Sequence, residues 1–275
     1  LLTWGDGVND TIDHWSRLLA TFHDAAPIRP DADVLLEKIS YWTNAGSAYW
    51  YNTVRGSSYA MTLRLLRHRH AALGLRFGSY QLDSWWYQRE HDGSTGGILD
   101  WAPRPEAPRR NYNVPVGRKK VRRLAVFPRE RMSDAQAILD APLGCHFKQL
   151  SIHSPHVAAS PDDFLCEDFA MPRSEAQAVA LFRTLFSHPR WRLAYVVHDW
   201  LQWMSDRHTA FRDPELGPGY FRALDAALRS LPAPDNRCGH PTLQLCMTQP
   251  SMTLNAVTLP AVTTIRSTPD AYSFF

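Results

Sequence analysis

Four cysteines are few for 275 residues, and Cys145, Cys166, Cys238 and Cys246 show none of the tight spacings of a zinc site. That argues against a metal-stapled or disulfide-dense scaffold. Buried free thiols are the expectation, with Cys238 and Cys246 the pair considered for a bridge. No apolar run approaches the ~20 residues needed to span a bilayer, so no membrane partner is expected. A formal charge of +3 is too small to call for nucleic acid. A phosphate-binding loop, a dinucleotide fingerprint and a serine nucleophile elbow are also missing. No cofactor and no metal are therefore predicted.

What the chain does contain is an ordinary globular composition with ten tryptophans, and length enough for one large α/β domain. It opens at Leu1 rather than Met, so a signal peptide is unreadable; with only the sequon Asn9-Asp10-Thr11 to weigh, the compartment stays open between secreted and cytoplasmic. The stretch Arg192 to Trp203 organises the rest. Leu193 to Val197 is an apolar, β-branched run of the kind buried on both faces of a parallel sheet, and it breaks into His198, Asp199 and Trp200. A carboxylate there lies at the strand's carboxyl end, where α/β folds hold their chemistry. Tyr80 to Leu82 run into Asp83 in the same way, and Val262 to Ile265 run into Arg266, with Asp270 shortly after.

The remaining elements follow from period and punctuation. Thr11 to Phe22 sets Ile12, Trp15, Leu18, Leu19 and Phe22 on one helical face, with Asp10 as N-cap. Lys38 to Trp42 reads as a first strand, Ser57 to Leu73 as a helix ended by Gly74, and Leu75 to Leu82 as the second strand. Ser94 to Glu130 is irregular and carries the basic run Gly117 to Arg123, read as a solvated loop in the absence of interleaved aromatics. A short helix from Ser133 to Leu139 precedes a third strand, placed at Phe147 to Ile152. Ser174 caps a helix with Gln177 as its capping-box partner, and a further helix runs from about Tyr220 to Leu231. Leu243 to Met247 and Ala261 to Arg266 are the fifth and sixth strands, with room for a very short helix between them. Six strands alternating with helices predict a parallel sheet. A complete eight-stranded barrel takes ~250 residues in compact form. The expectation is thus a (β/α)8 TIM-type barrel that is incomplete, with about six βα units over residues 1–275 and exposed edges beside the first and sixth strands.

Glycoside cleavage requires two carboxylates flanking the bond. Asp199 and Asp270, at the ends of the fourth and sixth strands, are the catalytic pair expected to face each other, and Asp83 is placed to accept bonds from sugar hydroxyls. The competing view is that each is a helix cap. Trp42, Trp85, Trp86 and Trp203 are candidate stacking platforms for sugar rings, and His153 and Arg266 candidate substrate contacts. His153 and His156 also carry a rival reading, half of a metal-dependent hydrolase site.

The segments YWTNAGSAYWY (Tyr41 to Tyr51), SYQLDSWWY (Ser79 to Tyr87), VHDWL (Val197 to Leu201), TLQLCM (Thr242 to Met247) and LPAVTTIRSTPD (Leu259 to Asp270) occur in one order. Together they resemble a eukaryotic glycoside-hydrolase-like group related to the α-galactosidase and raffinose-synthase barrels. The resemblance spans nearly the whole chain. It implies Asp83 as a substrate ligand, Asp199 as nucleophile, Asp270 as acid/base with Arg266 nearby, and an N-terminal β-sandwich ahead of the barrel. The chain departs from the group at Val197-His198, where an acid–amide pair is usual, and at Asn44-Ala45-Gly46 in place of Asp-Asn-Gly. The expected function is a retaining glycosidase or transglycosidase acting on an oligosaccharide or glycoside with α-linked sugars. The alternative from another class is a catalytically silent sugar-binding barrel.

Overall fold

The computed structural model describes residues 3–26, 29, 31–43, 53–54, 57–91, 96–105, 126–127, 131–187 and 192–266. Helix α1 (Val8–Phe22) leads to the single turn α2 (Val34–Glu37), which Asp33 caps by accepting the Leu36 N–H, and then to β1 (Ser40–Trp42). Helix α3 (Tyr59–Ala72) starts where the Ser58 side chain accepts the Met61 N–H. The chain turns out of it through Gly74, whose φ of +69° costs glycine little. Strand β2 (Ser79–Leu82) follows, then the antiparallel ribbon of β3 (Tyr87–Arg89) and β4 (Ile98–Pro103). Next come α4 (Met132–Leu139) and β5 (Leu143–Phe147). The excursion beyond β5 holds α5 (Pro155–Ala159) and the antiparallel pair β6 (Phe164–Cys166) and β7 (Ala170–Pro172). Helix α6 (Glu175–Phe186), capped by Ser174, precedes β8 (Leu193–His198). Three helices follow, α7 (Leu201–Arg207), α8 (Thr209–Arg212) and α9 (Leu216–Arg229), then β9 (Thr242–Cys246), α10 (Pro250–Ala256) and β10 (Val262–Arg266).

Among the described residues, six strands form one all-parallel sheet in the order β1-β2-β5-β8-β9-β10, curled into half a barrel. Its convex face packs on helices. Phe147 meets Phe182 and Phe186 of α6 edge-on, and the outward His198 bonds the hydroxyl of Tyr220 on α9 at 2.9 Å. Burial holds the His198 imidazole down at about 3, so it stays neutral in that layer. The concave face carries a small second cluster that includes Val34, Tyr195, Val197 and Cys246. Here Gly144 is required rather than tolerated, because any Cβ on it would overlap the Tyr195 ring. The Tyr195 hydroxyl accepts from Ser79 on β2 at 3.5 Å across that gap.

The two edges differ from the middle. β2, β5 and β8 are buried at every residue, whereas β1 is half-buried throughout and β10 is buried only at Val262. At the amino-terminal end, Asp33 and Val34 bridge the gap between the edges. The hydroxyl of Thr263 in β10 donates to Asp33, and Asn236 accepts the Val34 N–H at 3.1 Å while donating to Ala194 O at 2.7 Å. At the carboxyl-terminal end, the Arg266 guanidinium lies 4.8 Å from the centroid of the Trp42 ring, so β10 and β1 touch again through side chains.

Several expectations need correction. The third strand of the sheet is β5, Leu143–Phe147, not Phe147 to Ile152. The predicted apolar face of α1 buries only Leu19, and Ile12, Leu18 and Phe22 are exposed. Its N-cap is Gly7, while Asp10 sits in the first turn and accepts the Asp6 N–H at 2.9 Å. Ser174 pairs with Gln177 as expected, accepting its N–H and donating to its side-chain oxygen at 2.9 Å, while the Gln177 amide nitrogen reaches on to Asp163. The irregular interval contains β4, and the basic run 117–123 lies outside the described residues. Cys238 and Cys246 are not bridged; all four thiols are free, with Cys145 and Cys246 buried and Cys166 and Cys238 exposed.

Replacing Gly144 by alanine should overpack the concave face and cost about 1–3 kcal/mol in chemical denaturation. A Gly144→Ala protein as stable as wild type would mean that the Tyr195 ring swings aside freely.

Candidate functional site

Parallel register turns the concave face into rows of side chains. Trp42, Gln81, Gly144, Tyr195 and Thr242 are successive partners across β1, β2, β5, β8 and β9. Two residues further on, His146, Val197, Gln244 and Thr264 align across β5, β8, β9 and β10, and beyond β2 the same step brings Asp83 into play. One more step of two reaches Lys148 and Asp199, just past the ends of β5 and β8, beside the aligned pair Cys246 and Arg266. Strand pleating alone thus gathers two carboxylates, a histidine, a lysine and a thiol at one end of the half-barrel. Asp83 is 4 % exposed, His146 2 %, Lys148 1 % and Asp199 7 %, so they act on each other across a water-poor interior.

Asp199 is the best-held of them. Its Oδ1 accepts the Trp200 N–H at 2.8 Å and its Oδ2 lies 3.3 Å from Nε2 of His146. Burial pushes the carboxyl up, but the bond and electrostatic attraction from His146, with bonds from Cys246 and the Trp200 N–H, outweigh it and bring the acid down to about 2. The Cys246 thiol, buried beside that carboxylate, is pushed up and stays a donor. Trp200 is left-handed, with φ +64°, and so is Met247 after β9, at φ +56°. Each costs about 1–2 kcal/mol for a residue with a Cβ, strain of the kind found at functional sites. Gln202 N donates to Met247 O at 2.9 Å and ties the two strained exits together.

Lys148 is held well below its usual value, by burial first and by the Arg89 guanidinium second, while Asp199 and Asp83 pull the other way. Asp83 is oriented by Thr43, whose hydroxyl accepts the Asp83 N–H at 3.2 Å and the Trp85 indole N–H at 3.0 Å. Its Oδ1 accepts the Ser84 N–H at 2.6 Å. The β3–β4 ribbon feeds the same region: the Tyr87 hydroxyl is 2.9 Å from His146 Nδ1, the Trp101 indole donates to His146 O at 2.9 Å, and Arg89 donates to Ser84 Oγ at 3.1 Å.

The predicted site residues divide accordingly. Asp83 and Asp199 share the carboxyl-terminal end of the sheet, and Trp42 and Arg266 meet at its mouth, where the Trp42 indole N–H is buried without a partner among the described residues. Asp270 and Asn44-Ala45-Gly46 lie outside the described residues. Trp85 and Trp86 are not open platforms. Trp85 stacks on Tyr59 at 4.6 Å and Trp86 packs edge-on against Trp101, both fully inside the core. Trp203 packs on Phe169. His153 is exposed on the surface beside Glu90 at 3.5 Å, and His156 faces Asp100 at 3.2 Å. They therefore do not share a ligand set, and among the described residues no three His, Cys, Asp or Glu side chains gather as a metal would require. Of the pair that departs from the group, Val197 faces the concave side and His198 the helices.

Thr43, Tyr87, Arg89, His146, Lys148 and Cys246 were missed. The signal for His146 and Lys148 was present in LGCHFK, where alternate residues after Gly144 are polar, but it was masked by placing the strand four residues late. A groove of about 650 Å³, lined in part by Ala20, Arg29, Arg237 and Thr263, opens elsewhere, between α1 and the start of β10. It contains none of the strand-end residues. In this way the described residues define an α/β parallel half-barrel with a cluster of acidic and basic side chains at its strand ends. Neither a family model nor a curated protein matches the chain. No helix among the described residues is long and apolar enough to cross a membrane.

The depressed Asp199 acid makes a pH prediction. Its ordinary value is 3.8 and its folded value about 2, so its contribution is complete above the unfolded value and is lost as pH falls through the folded one. Wild type should lose about 2 kcal/mol more than Asp199→Asn between pH 4 and pH 2. Parallel denaturation curves for the two proteins over that window would show that the carboxylate is not held by these bonds.

Proposed function

We propose that the half-barrel belongs to a (β/α)8 barrel of the glycoside-hydrolase-like group that its motifs resemble, and that it acts as a retaining glycosidase or transglycosidase on α-linked sugars. Asp199 is the nucleophile and Asp270 the acid/base in this reading, with Asp83 accepting from substrate hydroxyls. The observation that carries it is the state of Asp199: a buried strand-end carboxylate kept ionised by His146, Cys246 and the Trp200 N–H. A glycosyl nucleophile must be ionised and rigidly aimed, whereas the acid partner must keep its proton. The half-exposed β1 and β10 are the edges that two more strands of a closed barrel would cover.

In the reaction, Asp199 attacks the anomeric carbon while Asp270 protonates the departing oxygen. Water, or a second sugar hydroxyl, then discharges the glycosyl ester with Asp270 as base. Carboxyl separation of about 5–5.5 Å between the two is the corresponding expectation.

One observation favours the rival, a sugar-binding barrel without turnover. Both oxygens of Asp199 already accept bonds from within the protein, as those of a purely structural carboxylate would.

Turnover of 4-nitrophenyl α-glycosides separates the two. The hydrolase reading expects nitrophenol release with a first product of retained anomeric configuration, abolished in Asp199→Asn. Asp270→Asn should slow poor leaving groups by about 100-fold or more and activated aryl glycosides less. Sugar binding by calorimetry without turnover would establish the rival, and near wild-type rates in both variants would make the aspartates structural caps.

A further inference from the structure

Asp199 is ionised, so it offers acceptors only, and the nitrogen facing it must supply a hydrogen. That nitrogen is His146 Nε2, at 3.3 Å. A neutral imidazole protonated on Nε2 is bare at Nδ1, and the group facing Nδ1 at 2.9 Å is the hydroxyl of Tyr87, which can donate. The Tyr87 and His146 rings also stack, with centroids 5.9 Å apart and an interplanar angle of 23°, and the Trp101 indole pins the His146 carbonyl. Tyr87 is 0 % exposed, so no water competes for its proton. Three elements that are distant in sequence thereby converge in one line, β3 to β5 to the end of β8.

We infer that Tyr87 and His146 are positioning residues for Asp199: Tyr87 fixes the ring of His146 with its proton on Nε2, and that proton aims and holds the carboxylate. The role rests on the reading of Asp199 as the nucleophile, but the hydrogen-bond line itself does not. Tyr87 touches no reacting atom. It acts through the imidazole, as an outer partner orients a metal-bound histidine. The groups facing His146 are Tyr87 from β3 and Asp199 past the end of β8, with Asp83 following the aligned pair Leu82 and Cys145 of β2 and β5. Lys148 lies two residues further along the chain, just past the end of β5, and His198 lies on the other face of β8. Protonating His146 on Nδ1 would turn the Tyr87 oxygen into an acceptor and place one more cation beside Lys148 and Arg89.

The test has a spectroscopic arm and a kinetic arm. With ¹⁵N-labelled histidine in the full chain at neutral pH, His146 should report a neutral ring protonated on Nε2. A proton on Nδ1 would overturn the inference. With ¹³C-labelled aspartate, the Asp199 carboxyl should titrate higher in His146→Leu than in wild type; an unchanged titration would also overturn it. Because His146 is buried, His146→Gln guards against misfolding: its amide nitrogen can stand in for Nε2, so the Asp199 titration should return toward wild type. In the kinetic arm, Tyr87→Phe should lower kcat about 10-fold with little change in KM. In the His146→Gln background, which has no ring to orient, Tyr87→Phe should have no further effect on kcat. Equal losses in both backgrounds would make Tyr87 a packing residue. The two ideas fail separately: an inactive wild type with the proton on Nε2 sinks the hydrolase reading alone, and an active one with the proton on Nδ1 sinks the relay alone.

Discussion

Burying the Asp199 carboxylate is the constraint on which the rest of the site depends. An ion 7 % exposed at the end of the innermost strands must be met by donors already in place. The chain supplies three, from three different places: the backbone of Trp200, the ring of His146 on β5 and the thiol of Cys246 on β9. Each has its own requirement. The Trp200 N–H must point back at the carboxylate, His146 must be held by Tyr87, and Cys246 must stay protonated, which burial beside the carboxylate ensures. The parallel register of β5, β8 and β9 is what lets all three reach one carboxylate.

How much of this was legible in the sequence depends on which face of a strand a residue occupies. β8 was clear because Leu193 to Val197 is apolar on both faces, and its end was marked by the switch to His198-Asp199. β5 was misplaced because its concave face carries Gly144 and His146 while its convex face carries Leu143, Cys145 and Phe147. That mixture has neither the unbroken apolar run of a core strand nor a long enough alternation to fix its limits. Tyr87 and Arg89 were out of reach for another reason. They arrive on a ribbon that doubles back over the strand end, a tertiary excursion that no local period announces. Trp85 and Trp86 prove to be core residues, which the sequence does not reveal because chemistry shared by cores and sugar platforms cannot be sorted without knowing the neighbours. Tyr59 and Trp101 prove to be those neighbours.

The concave face of the half-barrel sets polar side chains around the small apolar cluster of Val34, Tyr195, Val197 and Cys246, whereas the convex face is apolar. Ser40, Ser79 and Gln244 line the concave side and pair across the strands: Ser40 with Ser79, Ser79 with Tyr195, Gln244 with Thr264 at 3.1 Å. These pairings offset a cost of about 1–3 kcal/mol for each polar group buried alone, while Thr242 Oγ1 in the same row has no partner among the described residues. The departure at Val197 fits the pattern locally. An apolar side chain there packs with Val34 and Cys246, and the histidine next to it turns to the helices, neutral and bonded to Tyr220.

The position of each group within the sheet also determines what an open edge can disturb. Asp83, His146, Lys148, Asp199 and Cys246 all come from β2, β5, β8 and β9 or the residues just beyond them, and every one of these strands has a hydrogen-bonded neighbour on both sides. Trp42 and Arg266 come from the two edge strands, and their contact exists only because the sheet curls far enough to bring β10 back to β1. Anything that flattens the sheet separates that pair first and reaches Asp199 last. The aiming of the carboxylate is therefore a property of the middle of the sheet, while the shape of the mouth above it is a property of the edges. Substitutions at Trp42 or Arg266 therefore act on the edges of the half-barrel and leave the donors around Asp199 in place.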